Sequence, residues 1–99
     1  MPARSLRVRW LRTALANLEE HAQYIARDNP VAARRMVAAI ERSVALLARY
    51  PALGRPGRLE GTRELDVPGT PYIVPYRVRG ETVEILRVFH EARKWPSTL

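Results

Sequence analysis

The dipeptide Asn29-Pro30 constrains this chain more than any other feature, because it falls between two stretches of helical periodicity and keeps them from merging. A residue before proline is pushed out of the helical region, as an N-cap must be, and proline's fixed φ suits the first helical position. On the amino side, Leu15, Leu18, Ala22 and Ile25 recur at spacings of three and four. Thr13 is placed to cap that helix, Glu19 and Glu20 precede Arg27 in the sense the macrodipole prefers, and an end is expected near Arg27-Asp28. On the carboxyl side, Ala33, Met36, Val37, Ile40, Val44 and Leu47 form the apolar stripe of a second helix, which Tyr50-Pro51 ends. So short a connection joins the two as an antiparallel αα-hairpin.

Strand patterns flank the hairpin. Leu6, Val8 and Trp10 alternate with Arg7 and Arg9, giving a short strand with one apolar and one basic face. Between Pro51 and Thr62 the run PALGRPGRLEGT has the chemistry of a connector and carries Arg55 and Arg58 as mobile charges. Arg63 to Val67 alternates, Pro68-Gly69-Thr70-Pro71 turns, and Tyr72 to Arg79 is extended. Gly80-Glu81 makes a two-residue hairpin turn with glycine first, as type II′ requires. Thr82 to Phe89 reads as the last strand, and Val83, Ile85, Leu86, Val88 and Phe89 make it apolar on both faces, as inside a sheet. Pro75 is the misfit, since a central strand needs its ladder donor; a bulge there, or a short neighbour, resolves it. The expected fold is α+β in two layers: an N-terminal strand, the αα-hairpin, then a three-stranded antiparallel meander, in one domain over 1–99.

With 99 residues there is room for one domain, and the 46% hydrophobic content suits one small core. The absence of cysteine excludes a disulfide scaffold and thiolate chemistry. Apolar stretches fall well short of the ~20 residues that cross a bilayer, and the start lacks a signal peptide's apolar core, so a cytoplasmic address and no membrane contact are expected. Lys+Arg is 17 against Asp+Glu 10, a net charge of +7, which attracts an anionic partner. Lys94 is the only lysine, so the rest are forked guanidinium groups suited to carboxylate or phosphate.

Much chemistry is unsupported. GRPGRLEG lacks the strand and helix of a phosphate loop, and no serine sits in an elbow motif. His21 and His90 lack the partners of a metal site, so neither metal nor cofactor is expected. What stands out is His90 at a strand end beside Glu91, Arg93 and Lys94, able to move a proton near neutral pH. Arg63, Arg77, Arg79, Arg87 and Arg93 come from the strands and their ends and can share a phosphate- or carboxylate-binding surface. Tyr72 and Tyr76 read as core.

Five strings in order resemble one family, the RelE/ParE toxins of type II toxin–antitoxin modules, in its ParE-like branch. They are Tyr24 to Pro30 with Ala32-Ala33, Leu47 to Arg55, Thr62 to Leu65, Tyr72 to Val78, and Ile85 to Trp95, together spanning nearly the whole chain. The resemblance implies a helix hairpin packed on an antiparallel sheet, and a growth-inhibiting toxin neutralised by a cognate acidic antitoxin whose disordered tail folds onto it as a hetero-oligomer. RelE-like members cleave messenger RNA on the ribosome and carry a basic residue after the tyrosine that opens the third strand. Here that position is Ile73, and Glu64 and Asp66 stand where lysines would be expected, which argues against RNA cleavage. If the chain is a nuclease, the resemblance assigns catalysis to His90, Arg93 and Arg63. The ParE-like alternative binds and stalls DNA gyrase without chemistry of its own, with Arg63, Arg77, Arg87, His90 and Arg93 as contacts to target or antitoxin. A paralogue that only binds antitoxin is a third reading.

Overall fold

In the computed structural model, residues 5–93, 95–96 and 99 are described; residues 1–4 of the expected leaderless start, Lys94 of the strand-end string and Ser97 lie outside the described residues. In chain order the elements are β1 (Arg7–Trp10), α1 (Arg12–Ala26), α2 (Pro30–Leu46), β2 (Arg55–Pro56), β3 (Arg63–Asp66), β4 (Tyr72–Arg79), β5 (Thr82–Ile85) and β6 (Phe89–His90). The strands lie in the order β1-β5-β4-β3-β2, with β6 on β4. β1 runs parallel to β5 while the other pairs are antiparallel, so the sheet is mixed. The expected α+β arrangement is present. The register Arg79↔Thr82 leaves Gly80-Glu81 as the turn, and Gly80 at φ 59° followed by Glu81, which is not at positive φ, fits type II′.

The core lies between the hairpin and one sheet face, where Met36, Ile40, Val44 and Leu47 of the α2 stripe meet Leu65, Val74, Tyr76, Val83 and Ile85. Burying each such side chain contributes about 1.5–3 kcal/mol. Asn29 caps α2 through its Oδ1, which accepts from Ala32 N at 3.0 Å. The helix stops at Leu46, earlier than Tyr50-Pro51 suggested, and turns carry the chain to Arg49.

Helix α1 departs from its expected form in three ways. Its N-cap is Leu11, in extended conformation and without a side-chain bond, because the Thr13 hydroxyl donates to Leu86 O at 2.9 Å instead. Glu19 and Glu20 therefore sit mid-helix, where the macrodipole does not account for them. The buried stripe runs through Ala14, Leu18, Ala22 and Ile25, and Leu15 is turned outward, half exposed.

The stretch Thr82–Phe89 is not one strand. β5 and β6 lie along the same edge of β4, but the register changes between Tyr76↔Ile85 and Ile73↔Phe89. Two residues of β4, Val74 and Pro75, thus face three, Leu86, Arg87 and Val88: a bulge opposite the proline. Pro75 still accepts from Leu86 N at 3.0 Å. The missing donor is the reason the ladder breaks there.

The connector 51–62 is also more ordered than its glycines imply. Arg55–Pro56 pair with Arg63–Glu64 as β2, and Arg55 and Arg58 are held by Glu64 rather than mobile.

Candidate functional site

A bulge leaves backbone groups without ladder partners, and α1 supplies them. Thr13, Asn17 and His21 lie four residues apart on one helix face. Thr13 donates to Leu86 O, Asn17 Oδ1 accepts from Val88 N at 3.1 Å, and His21 Nε2 lies 2.9 Å from Val88 O. A carbonyl only accepts, so the His21 proton is on Nε2. Burial, aided by Arg93 and His90, holds the His21 imidazole below its usual pKa against the pull of that bond and of Glu20.

From His21 a cluster of rings extends to the strand end. Tyr72 lies 4.8 Å from the His21 ring and 5.5 Å, edge-on, from His90. Burial raises the Tyr72 phenol, and Arg93 opposes this. His90 Nδ1 accepts from Ala92 N at 3.1 Å, which leaves Nε2 to carry the proton of the neutral ring. Arg93 N donates to His90 O at 3.0 Å, and Arg93 shares a shallow polar depression with Glu20, His21, Tyr24 and Arg27.

The other sheet face is built around Glu64. Its carboxylate, with only 4% of the side chain exposed, accepts from Arg58 N at 2.8 Å, Arg58 Nε at 3.1 Å and Arg55 Nη2 at 3.2 Å. Burial pushes the Glu64 carboxyl up, but the Arg58 amide and guanidinium together with Arg55 outweigh it and hold the pKa below its ordinary value. Arg55 also pairs with Asp66. Arg58 stacks 3.5 Å over the ring of Trp95, which packs on Phe89 at 4.7 Å. Beside them Ile73 and Pro75 are buried. Among the described residues, Arg55 and Arg58 at this spot are each paired with a carboxylate.

The residues singled out from sequence are split by this fold. His90 and Arg93 share the strand end. Arg63 pairs in register with Tyr76, four positions along β4 from Tyr72 and thus about 13 Å from His90's partner; its Nη1 donates to Gly54 O at 2.7 Å. Arg77 lies farther along, on the opposite face, donating through Nε to Glu84 at 2.7 Å. Arg87 is half-buried in the bulge. The sequence reading missed the fastening role of Thr13, Asn17 and His21, whose signal is a polar residue every fourth position on a helix otherwise read for its apolar stripe. Among the described residues no group of three or more histidines and carboxylates is placed to hold a metal, and no helix is long and apolar enough to cross a membrane.

A helix hairpin on one face of a mixed multi-stranded sheet matches the α+β fold of solved chains from toxin–antitoxin systems. A chain of the chromosomal ParDE toxin–antitoxin system of P. aeruginosa superposes with a TM-score of 0.80 at 29% identity, over 88% of this chain and 97% of that one. A chain of the RelBE2 toxin–antitoxin complex of Mycobacterium tuberculosis gives 0.65 at 34% identity, over 90% and 94%. The candidate toxin Y4kP of Sinorhizobium fredii is 50% identical over 93 residues, 94% of this chain and 96% of its own. The family model of the ParE toxin of the type II toxin–antitoxin system parDE matches residues 8–95. The chain belongs to that family and is a toxin of a type II toxin–antitoxin module.

Proposed function

We propose that this toxin arrests growth by binding DNA gyrase and stalling it, with no chemistry of its own, and that a cognate acidic antitoxin neutralises it in the cytoplasm. The observation that carries this reading is the state of the helix-free face around Ile73. RNA cleavage there would need unpaired cations to hold a scissile phosphate and its developing charge. Instead Ile73 is buried, and Glu64 and Asp66 occupy Arg55 and Arg58. The nuclease set is also dispersed, since Arg63 spends its guanidinium on backbone carbonyls away from His90.

Inhibition by contact requires surface, and three regions supply it: the strand end with His90 and Arg93, Arg87 in the bulge, and an apolar trough between α2 and the 68–72 turn. Ile25, Ala32, Met36, Ala39 and Pro71 line the trough and Arg35 and Arg42 stand at its edge, which suits an amphipathic acidic segment of the antitoxin. The similar chains from the ParDE system and the RelBE2 complex come from such assemblies, which supports an antitoxin partner.

A second reading, ribosome-dependent RNA cleavage, draws on the adjacency of His90, Arg93, His21 and Tyr72. His90→Ala separates the two. Under the gyrase reading, cells expressing the variant still largely stop growing, since no proton transfer is lost and only one contact of an extended surface is trimmed. Full recovery of growth with a folded variant, together with disappearance of ribosome-dependent transcript cleavage, would transfer the conclusion to the nuclease.

A further inference from the structure

We infer that the helix-free face of β1, β5 and β4 is a docking surface for the backbone of duplex DNA. This goes beyond the gyrase reading and stands without it, because it concerns the toxin and DNA alone.

Register builds the surface. Arg7, Thr82 and Arg79 lie abreast in one row, and Arg9, Glu84 and Arg77 in the next. With strands about 4.8 Å apart and alternate residues about 6.7 Å apart, the four arginine Cα atoms mark a rectangle of roughly 10 by 7 Å. Two acids answer them. Glu84, 8% exposed, accepts from Arg77 Nε at 2.7 Å and faces Arg79 Nε at 3.7 Å, and Glu81 sits in the turn at the edge of the patch. Four cations against two carboxylates leave the face positive. Arg7 and Arg9 are exposed, and Arg79 keeps 68% of its side chain in solvent.

The chemistry of the patch selects among anions. An acidic peptide that orders on binding must bury apolar surface to offset its lost entropy. Here Thr82 and Glu84 lie between the arginines, and the apolar trough is on the other layer of the molecule. An unpaired strand is held by stacking on aromatic rings, but Trp10, the aromatic of β1, packs toward the core. What remains is a cationic face whose rows repeat at about two steps of the 3.4 Å axial rise of a DNA strand. Guanidinium forks bind such phosphates without reading sequence.

The test is fluorescence anisotropy of a labelled DNA duplex titrated with the full chain between about 50 and 200 mM salt. Replacing Arg7, Arg9 and Arg79 with glutamine should reduce the slope of log affinity against log salt by about 2–3 and weaken binding at least about tenfold at the low-salt end. Lysine at the same three positions should restore it. Arg12→Gln, Arg34→Gln and Arg49→Gln together remove equal charge from exposed positions on the helix layer and should leave the slope unchanged. Should the glutamine triple fail to fold, Arg79→Gln alone is read for a slope change of about 0.9. Equal losses from both triples would mean that net charge alone acts and would overturn the proposal. So would undetectable binding at low salt, preference for an RNA duplex of the same sequence, or a patch that matters for a poly-glutamate probe and not for DNA.

Discussion

At the scale of single residues, buried polar groups decide where this small chain is held. Tyr76 is fully buried, and its hydroxyl donates to Pro51 O at 2.7 Å while accepting from Gly54 N at 2.8 Å. Tyr76→Phe leaves both backbone groups unpaired and should cost about 1–3 kcal/mol in denaturant unfolding. Gly54→Ala should be at least as harmful, because a Cβ there would lie 2.7 Å from the Tyr76 ring and 2.9 Å from Glu64 O. Glu64 gives a dependence on pH with a definite sign. Its folded pKa is below the ordinary 4.5, so its contribution to stability is present above that value and is lost as pH falls through the folded pKa. Denaturant midpoints followed from pH 7 downward should drop across that acid range, and Glu64→Gln should flatten the drop; an unchanged acid limb would remove Glu64 from the account. None of this was legible beforehand. Tyr76 was readable as core, but the loop it pins is far away in sequence, and Glu64 read as one acid in an alternating strand until β2 folded over it.

At the scale of elements, local chemistry was readable where it acted within one element. Asn29-Pro30 announced α2, and Gly80-Glu81 announced the β4–β5 turn, because capping and φ > 0 need only near neighbours. Pro75 announced a break in the ladder. A bulge was one of its two expected forms and is the one observed; what it could not announce was that α1 takes up the bulge's loose backbone groups. Thr13 was misread as a cap for the same reason, since its partner Leu86 is distant in sequence. This fastening predicts a local effect. Asn17→Ala strips Val88 N–H of its acceptor, and amide exchange at Val88 should accelerate by one to two orders of magnitude, for a cost of about 1–3 kcal/mol. Amides of the β4–β5 pairing from Tyr76 to Arg79 should change far less. Uniform acceleration across the sheet would contradict a local clamp.

At the scale of the whole molecule, a net charge of +7 is unevenly used. Composition gave its size and the resemblance gave it partners, but only the register could divide it. Around Ile73 the arginines are neutralised by Glu64 and Asp66; at the β1–β5–β4 end they outnumber their acids; along α2 they edge an apolar trough. Hence the five site residues taken from sequence do not form one centre, which supports the proposal of inhibition by contact. The central claim is tested most directly with purified gyrase, supercoiled and relaxed plasmid, and this toxin with and without its antitoxin. The account expects loss of supercoiling and accumulation of cleaved DNA at stoichiometric toxin, both reversed by antitoxin. Unimpaired gyrase at a large excess of folded toxin would contradict it.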